Sequence, residues 1–171
     1  MEQLKLTQEW DKVFPKSDKV EHSKATFHNR YGITLAADVY VPKNAEGKLP
    51  AIAVSGPFGA VKEQSSGLYA QKMAELGFFA IAFDPSYTGE SGGTPRYVAS
   101  PDINTEDFCA AVDFLSVQES VDPERIGIIG ICGWGGMAEA RCFQCWPSAL
   151  ITARSAPTAR PLTGSAPAKK P

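Results

Sequence analysis

The residues best suited to covalent chemistry lie in a glycine-rich stretch around Cys132. Residues 126–131 form an apolar run that predicts a buried strand, and Gly133, Gly135 and Gly136 follow the cysteine. A side chain at the apex of a sharp turn between a strand and a helix points outward, and the next backbone N–H faces the oxyanion of an acyl-transfer reaction. The pattern therefore predicts that Cys132 is a nucleophile displayed on such a turn.

The segments that must position this turn alternate between strand and helix patterns. We predict a hairpin over 26–41 with its turn at 29–32, strands at 51–54, 78–83 and 126–131, and helices at 68–76 and 104–118. Asn104 or Thr105 is expected to cap the second helix, and 122–125 to form a turn. This order predicts an α/β fold in which an antiparallel hairpin precedes a parallel sheet with right-handed βαβ crossovers.

Four short motifs follow one another in a fixed order. They are Ser-Gly-Pro-Phe-Gly at 55–59, Phe-Asp-Pro-Ser-Tyr-Thr-Gly-Glu-Ser at 83–91, Asp-Pro-Glu-Arg-Ile at 122–126 and Gly-Ile-Cys at 130–132. They resemble the oxyanion loop, the Asp-x-x-Gly-x-Gly-x-Ser type of loop, the lead-in to the nucleophile strand and the nucleophile elbow of α/β-hydrolases. Dienelactone-hydrolase-like esterases and Xaa-Pro-peptidase-like hydrolases look most similar. The resemblance covers about residues 20–139, roughly half of such a domain, and implies a three-layer sandwich cut short.

The resemblance leaves two registers of the elbow open. Dienelactone-hydrolase-like members carry cysteine in a Gly-x-Cys-x-Gly-Gly elbow, which implies Cys132 as the nucleophile, with Gly135 and Gly136 one place late. Relatives with a Cys-x-Ser-x-Gly elbow would place the nucleophile at position 134, where Trp134 has no such chemistry. We prefer the first register, because Gly130 then makes the close approach that the turn needs.

The resemblance also implies an ester or lactone as the substrate and two backbone donors for its oxyanion. Pro57 has no N–H, so the donor in the loop at 55–59 is expected to be Phe58, paired with the N–H of Gly133. Attack by Cys132 would give an acyl-thioenzyme, without a metal or a cofactor.

The remaining members of a catalytic triad are absent from the expected positions. α/β-Hydrolases order the triad as nucleophile, acid and histidine, but both histidines of this chain, His22 and His28, precede Cys132. The last acid is Glu139, which we interpret as a solvent-facing helix residue. We therefore expect an inactive or weakly active chain, with a non-catalytic fragment or interaction remnant as the alternative.

Two further motifs are typical of other functions. Residues 133–138 match the Gly-x-Gly-x-x-Ala fingerprint of dinucleotide-binding domains, but no acid follows Glu139 to bind a ribose. Cys142 and Cys145 have the Cys-x-x-Cys spacing of zinc sites, although a structural zinc takes four ligands. We keep a dinucleotide-binding module as a less favoured alternative and do not expect a metal site at the two cysteines.

Composition divides the chain at Glu139. We assign 1–139 to half of an α/β-hydrolase domain and 140–171 to a basic, Ala/Pro-rich tail, for which we expect disorder and hypothesise a changed reading frame.

A net charge of −2 gives no reason to expect nucleic acid as a partner, and no run is long enough for a signal peptide or a membrane span. Four cysteines are too few for a secreted disulfide scaffold, so a cytoplasmic location is expected.

Three smaller expectations concern packing. Residues 1–19 are polar and predict a loosely docked arm, and Lys62-Glu63 predicts a solvated entry into the first helix. Strand 126–131 would lie at an exposed edge of the shortened sheet, which predicts self-association.

Overall fold

The computed structural model describes residues 4–138, in which strands and helices alternate as the sequence predicts. A helical stretch at 134–138 follows the last strand. The expected boundary at 139/140, the basic tail and the Cys142–Cys145 pair lie outside the described residues. The elements are β1 (Val20–His28), β2 (Thr34–Pro42), β3 (Leu49–Ser55), α1 (Ser65–Glu75), β4 (Phe79–Phe83), α2 (Pro101–Ser116) and β5 (Val121–Gly130).

The strands form one mixed sheet in the order β1-β2-β4-β3-β5. β1 and β2 are an antiparallel hairpin, and β2 also pairs antiparallel with β4. β3 lies parallel between β4 and β5, so the carboxyl ends of these three strands meet at one edge of the sheet. This arrangement confirms the predicted α/β architecture and places the turn after β5 beside the loop after β3.

Helices cover both faces of the sheet and make it the middle of three layers. Within β3, Ala51 and Ala53 pack in the same core cluster as α2, whereas Ile52 and Val54 pack in the cluster that contains α1. The alternation follows from the two-residue period of a strand. Both faces of β3 are therefore apolar, as its continuous hydrophobic run predicts.

Several predicted boundaries differ from the structure, including the start of β1, at Val20 rather than 26, and of α1, at Ser65 rather than 68. α2 begins at Pro101 rather than 104, because proline is well suited to the first turn of a helix and Ser100 occupies the N-cap position. Asn104 does not cap the helix: its Oδ1 accepts a hydrogen bond from the N–H of Ser100 at 2.8 Å. The predicted turn at 122–125 is part of β5, which pairs with β3 across an irregularity in the register.

Buried charges fasten the N-terminal arm to the sheet, so the prediction of a loosely docked arm is wrong. Lys12 Nζ lies 3.0 Å from Asp38 Oδ2 on β2, and Phe14 is buried beside α1 and the sheet. The arm also donates the N–H of Thr7 to Glu90 at 2.7 Å. We call the connected ion pairs the ionic cluster; its members are Asp11, Lys12, Lys24, Asp38, Lys62, Glu63, Asp84 and Glu90.

A second polar contact, centred on Asp107, joins α2 to two loops. The buried carboxylate accepts hydrogen bonds from the Nδ2 atoms of Asn29 and Asn104 and from the N–H and hydroxyl of Ser86, at 2.8–3.0 Å. Burial raises the pKa of Asp107 in spite of these donors. The hairpin turn, the loop after β4 and α2 thus share one acceptor.

β5 has a partner on one side only among the described strands. Self-association through this edge therefore stays a prediction. Light scattering at high protein concentration tests it, and a monodisperse monomer would contradict it.

Replacing the shared acceptor should destabilise the fold. Asp107→Ala leaves several buried N–H groups without an acceptor, so we expect a loss of about 3 kcal/mol in the free energy of unfolding, measured by urea denaturation. Asp113→Ala is the matched control, because Asp113 is an exposed residue of the same helix and its loss should change stability by less than about 0.5 kcal/mol. Equal effects of the two substitutions would show that the contact contributes nothing.

Candidate active site

The turn after β5 presents Cys132 to solvent. β5 ends at Gly130, and Cys132 is exposed with a φ of 58°, a left-handed conformation that is uncommon outside glycine. The turn is closed by hydrogen bonds from the N–H of Trp134 to the carbonyl of Ile131 at 3.3 Å and from the N–H of Gly135 to that of Cys132 at 3.0 Å. An uncommon backbone conformation at a single exposed thiol is typical of a functional position.

Parallel pairing brings the end of β3 against this turn. Ser55 lies opposite Gly130, and the N–H of Ile131 donates to the carbonyl of Ser55 at 3.0 Å. A Cβ at Gly56 would lie 2.5 Å from the carbonyl oxygen of Ile131, and one at Gly130 would lie 2.4 Å from that of Trp134. Both positions must be glycine because the backbones approach so closely.

The ring of Phe58 covers Gly133. A Cβ on Gly133 would lie 1.9 Å from Cε2 of Phe58, and the same ring packs against Trp134 with 5.0 Å between centroids. Within residues 4–138, neither the N–H of Phe58 nor that of Gly133 donates a hydrogen bond to another group. Two backbone donors that have no partner among the described residues thus lie on the two segments that meet at the Phe58 ring.

The structure therefore brings the predicted site residues Cys132, Gly133 and Phe58 together. Trp134 is 4% exposed and packs between Phe58 and Phe108, so the apex position of the second register is a buried indole. The nucleophilic role of Cys132 and the oxyanion role of the two N–H groups stay predictions. Of the remaining predicted elbow residues, Gly135 is buried in the helical stretch and Gly136 is exposed, with no atom within 4 Å of an added Cβ.

Neither histidine lies near Cys132. β1 and β5 are at opposite ends of the sheet, and four strand spacings separate them by on the order of 19 Å. His22 on β1 is instead hydrogen-bonded to Asp38 at 3.0 Å, and His28 is exposed at the end of β1. Glu139 lies outside the described residues.

Lys62 is completely buried, so the prediction of a solvated residue is wrong. Its Nζ contacts the carboxylates of Asp84 at 3.0 Å and Glu90 at 2.7 Å, and that of Glu63. Burial alone would lower the pKa of Lys62, but the surrounding carboxylates raise it above its ordinary value. The ammonium group therefore stays charged and cannot serve as a general base for the thiol.

Asp84 connects the two loops that flank the site. Its Oδ1 accepts the N–H of Lys62 at 2.8 Å, and its Oδ2 accepts the N–H of Glu90 at 2.9 Å. Gly89, with a φ of 54°, lies so close that an added Cβ would be 2.2 Å from Oδ2. The carboxylate thus fixes the loop after β3 relative to the loop after β4.

Beside the elbow, the same loops enclose a cavity of about 410 Å³. The outer wall of the cavity, at 97–99, could not be predicted from the sequence. This loop carries no motif, and Tyr97 adopts a φ of 61° that its residue type does not signal. The cavity is lined by Phe58, Gly59, Ala60, Val61, Pro85, Thr88, Gly89, Tyr97, Val98, Ala99 and Trp134.

The structure does not test the Cys142–Cys145 pair as a zinc site, because both cysteines lie outside the described residues. In residues 4–138 no three His, Cys, Asp or Glu side chains are grouped as metal ligands. The Phe58 ring also covers Gly133, the first glycine of the dinucleotide-type fingerprint. No helix between residues 4 and 138 is both long and apolar enough to cross a bilayer.

The chain resembles known proteins in both sequence and fold. Residues 31–151 match the family model described as X-Pro dipeptidyl-peptidase (S15 family). The chain belongs to this family. It shares the α/β-hydrolase fold of its structural neighbours, among them the α/β hydrolase GrgF from Penicillium, with a TM-score of 0.71 over 78% of this chain and 46% of that one at 24% identity. The superfamily resemblance of the four motifs is thereby confirmed.

The chain is also similar to two longer proteins. The Pseudomonas aeruginosa protein PA2218 is 77% identical over 137 residues, which are 80% of this chain and 37% of that protein. Its crystal structure aligns with a TM-score of 0.86 at 69% identity over 89% of this chain and 48% of that one. A protein named thiohydrolase aneE from Aspergillus aculeatus is 34% identical over 75% of this chain and 40% of its own length. The chain thus spans less than half the length of the curated relatives that it matches.

The contact between Phe58 and Gly133 gives a prediction. Gly133→Ala must push the Phe58 ring aside, so we expect it to lower the free energy of unfolding by about 1–3 kcal/mol, measured by urea denaturation. In a Phe58→Ala background the new methyl group has room, and the cost of Gly133→Ala should shrink.

Gly136→Ala is the matched control for that substitution. Gly136 lies in the helical stretch with open space around an added Cβ, so alanine there should be neutral or stabilise by up to about 1 kcal/mol. If Gly133→Ala behaves like Gly136→Ala, the ring does not cover Gly133 in solution.

Proposed function

We propose that this chain carries the nucleophile-bearing part of a cysteine-dependent hydrolase of esters, lactones or thioesters. One observation carries the proposal: an exposed thiol with a left-handed backbone lies beside two backbone N–H groups that have no partner among the described residues. That combination matches what acyl transfer needs, a nucleophile and a prepared site for a negatively charged oxygen.

The first chemical step follows from this arrangement. The thiolate of Cys132 attacks the acyl carbon, and the carbonyl oxygen becomes an oxyanion that accepts hydrogen bonds from the N–H groups of Gly133 and Phe58. The bond to the leaving oxygen or sulfur then breaks, the leaving group takes up a proton, and the acyl group remains on Cys132 as a thioester. Attack by water on that thioester would release the acid and restore the thiol.

The second step should be slow in this chain. Activating water or the thiol calls for a nearby base, and both histidines of residues 1–171 lie on β1, at the far side of the sheet. Lys62 is held as a charged ammonium group by three carboxylates. We therefore propose acylation without efficient turnover. The name of the thiohydrolase relative adds support for thioesters as well as oxygen esters.

Reaction with p-nitrophenyl acetate tests the proposal. We expect a stoichiometric burst of p-nitrophenolate, little steady turnover, and an acetyl group located by mass spectrometry on the peptide that contains Cys132. Cys132→Ala should abolish the burst, whereas Cys109→Ala, which removes a buried thiol in α2, should retain it.

Two results would count against this account. A burst that survives Cys132→Ala would exclude Cys132 as the nucleophile. Brisk steady turnover that depends on Cys132 would support the nucleophile but would contradict the proposed slow second step, since some other group must then act as the base.

A further inference from the structure

The cavity beside the elbow has a size and a position that suit the acyl part of a substrate. Its volume of about 410 Å³ lies within the usual range for small-molecule sites, ~300–1,000 Å³. Phe58 and Trp134 belong to its wall, and the Phe58 ring lies directly over Gly133, the residue after Cys132. Cys132 and Gly133 are not part of the described lining, so an acyl chain attached at the thiol would enter the cavity past the Phe58 ring.

The described lining of this cavity contains no charged residue. Its side chains are aliphatic or aromatic apart from the hydroxyl groups of Thr88 and Tyr97. Arg96 adjoins the lining, but its guanidinium group donates to the carbonyls of Gly89 and Ser91. The described lining itself therefore offers no cation to an acyl group that carries a carboxylate, and the nearby Arg96 is engaged by backbone carbonyls.

The charges next to the cavity also disfavour an anion. The ionic cluster holds five carboxylates against three ammonium groups, and its member Glu90 directly follows Gly89 in the cavity wall. An excess of carboxylates at this side of the cavity favours a neutral occupant over an anionic one.

Apolar surface is concentrated at the mouth of the cavity. Phe58 is 48% exposed, Tyr97 86% and Val98 40%, and all three belong to the lining. Grouped apolar side chains that remain exposed mark binding surfaces more often than isolated ones. Their placement next to a thiol elbow favours a small apolar group as the occupant.

We propose that this cavity binds the neutral, apolar acyl chain of the ester or thioester that Cys132 attacks, and that it discriminates against acyl chains ending in a carboxylate. The inference rests on the proposed function of Cys132. Aliphatic chains and unsubstituted aromatic rings fit the lining, whereas an acyl group with its own carboxylate, as in a dienelactone, does not.

Alkyl methanethiosulfonates test the cavity without requiring turnover. The thiolate of Cys132 attacks the sulfenyl sulfur, a disulfide bond forms, and the bond to the departing methanesulfinate breaks with its electron pair. The methyl, hexyl and carboxypentyl reagents carry, respectively, no chain, an apolar chain and a chain ending in a carboxylate. Peptide mapping assigns the modification to Cys132, and every rate is divided by that of glutathione with the same reagent.

After division by the glutathione rate, we expect the hexyl reagent to modify Cys132 at least about tenfold faster than the methyl reagent. This ratio corresponds to a difference of ~1.4 kcal/mol in activation free energy. The carboxypentyl reagent should lose most of that advantage. Hexyl and methyl rates that agree within about twofold, or a carboxypentyl rate equal to the hexyl rate, would overturn the inference.

A positive charge introduced into the cavity wall should increase the modification rate of the carboxypentyl reagent relative to the hexyl reagent. A misfolded variant would not show such an increase. Val98→Lys should raise the rate of the carboxypentyl reagent relative to the hexyl reagent by about tenfold. Val117→Lys is the matched control, because Val117 is an exposed valine that follows α2 and does not line the cavity, and it should leave the ratio unchanged. Equal ratios in the two variants would contradict the proposed place of the chain.

The outcomes also separate this inference from the proposed function. If Cys132 is modified by the methyl reagent but shows no preference for chain length, the cavity proposal fails, whereas the proposed role of Cys132 as the nucleophile is not contradicted. If the methyl reagent fails to modify Cys132 under conditions that modify glutathione, the thiol is inaccessible and both proposals fail.

Discussion

The close approach of two chain segments at the carboxyl ends of β3 and β5 is the constraint on which the site depends. Parallel pairing aligns Ser55 with Gly130, and the segments beyond them meet where the Phe58 ring covers Gly133. Glycine is required because a single added carbon would overlap that ring or the opposing backbone. This contact brings the segments that carry Phe58 and Gly133 together, while the neighbouring thiol of Cys132 remains exposed.

Buried charges hold the two loops of that arrangement together. Asp84 accepts N–H groups from the loop after β3 and the loop after β4, and the ammonium group of Lys62 compensates its charge. Removing one partner of such a group would leave an uncompensated buried charge, which is strongly destabilising. The N-terminal arm joins the same network through Lys12, so a segment remote in sequence supports the walls of the cavity.

The α/β order and the glycine turn could be predicted from the sequence, because apolar periodicity and glycine placement are local signals. The burial of Lys62 could not be predicted, since a lysine beside a glutamate looks solvated unless the carboxylates of Asp84 and Glu90, more than twenty residues away, are known to surround it. The docked arm and the cavity wall at Tyr97 were missed for the same reason. Each depends on contacts between segments distant along the chain.

The chain belongs to the S15 family and shares the α/β-hydrolase fold, and its proposed chemistry depends on how the N–H groups of Gly133 and Phe58 act on an acyl group at Cys132. The most direct measurement is the isotope-edited infrared carbonyl band of a ¹³C-acetyl group attached to Cys132. A carbonyl that accepts hydrogen bonds from Gly133 and Phe58 should absorb at a lower frequency than the same thioester of N-acetylcysteine in water, and Gly133→Ala should remove the shift. A band at the frequency of the free thioester, unchanged by Gly133→Ala, would contradict the account.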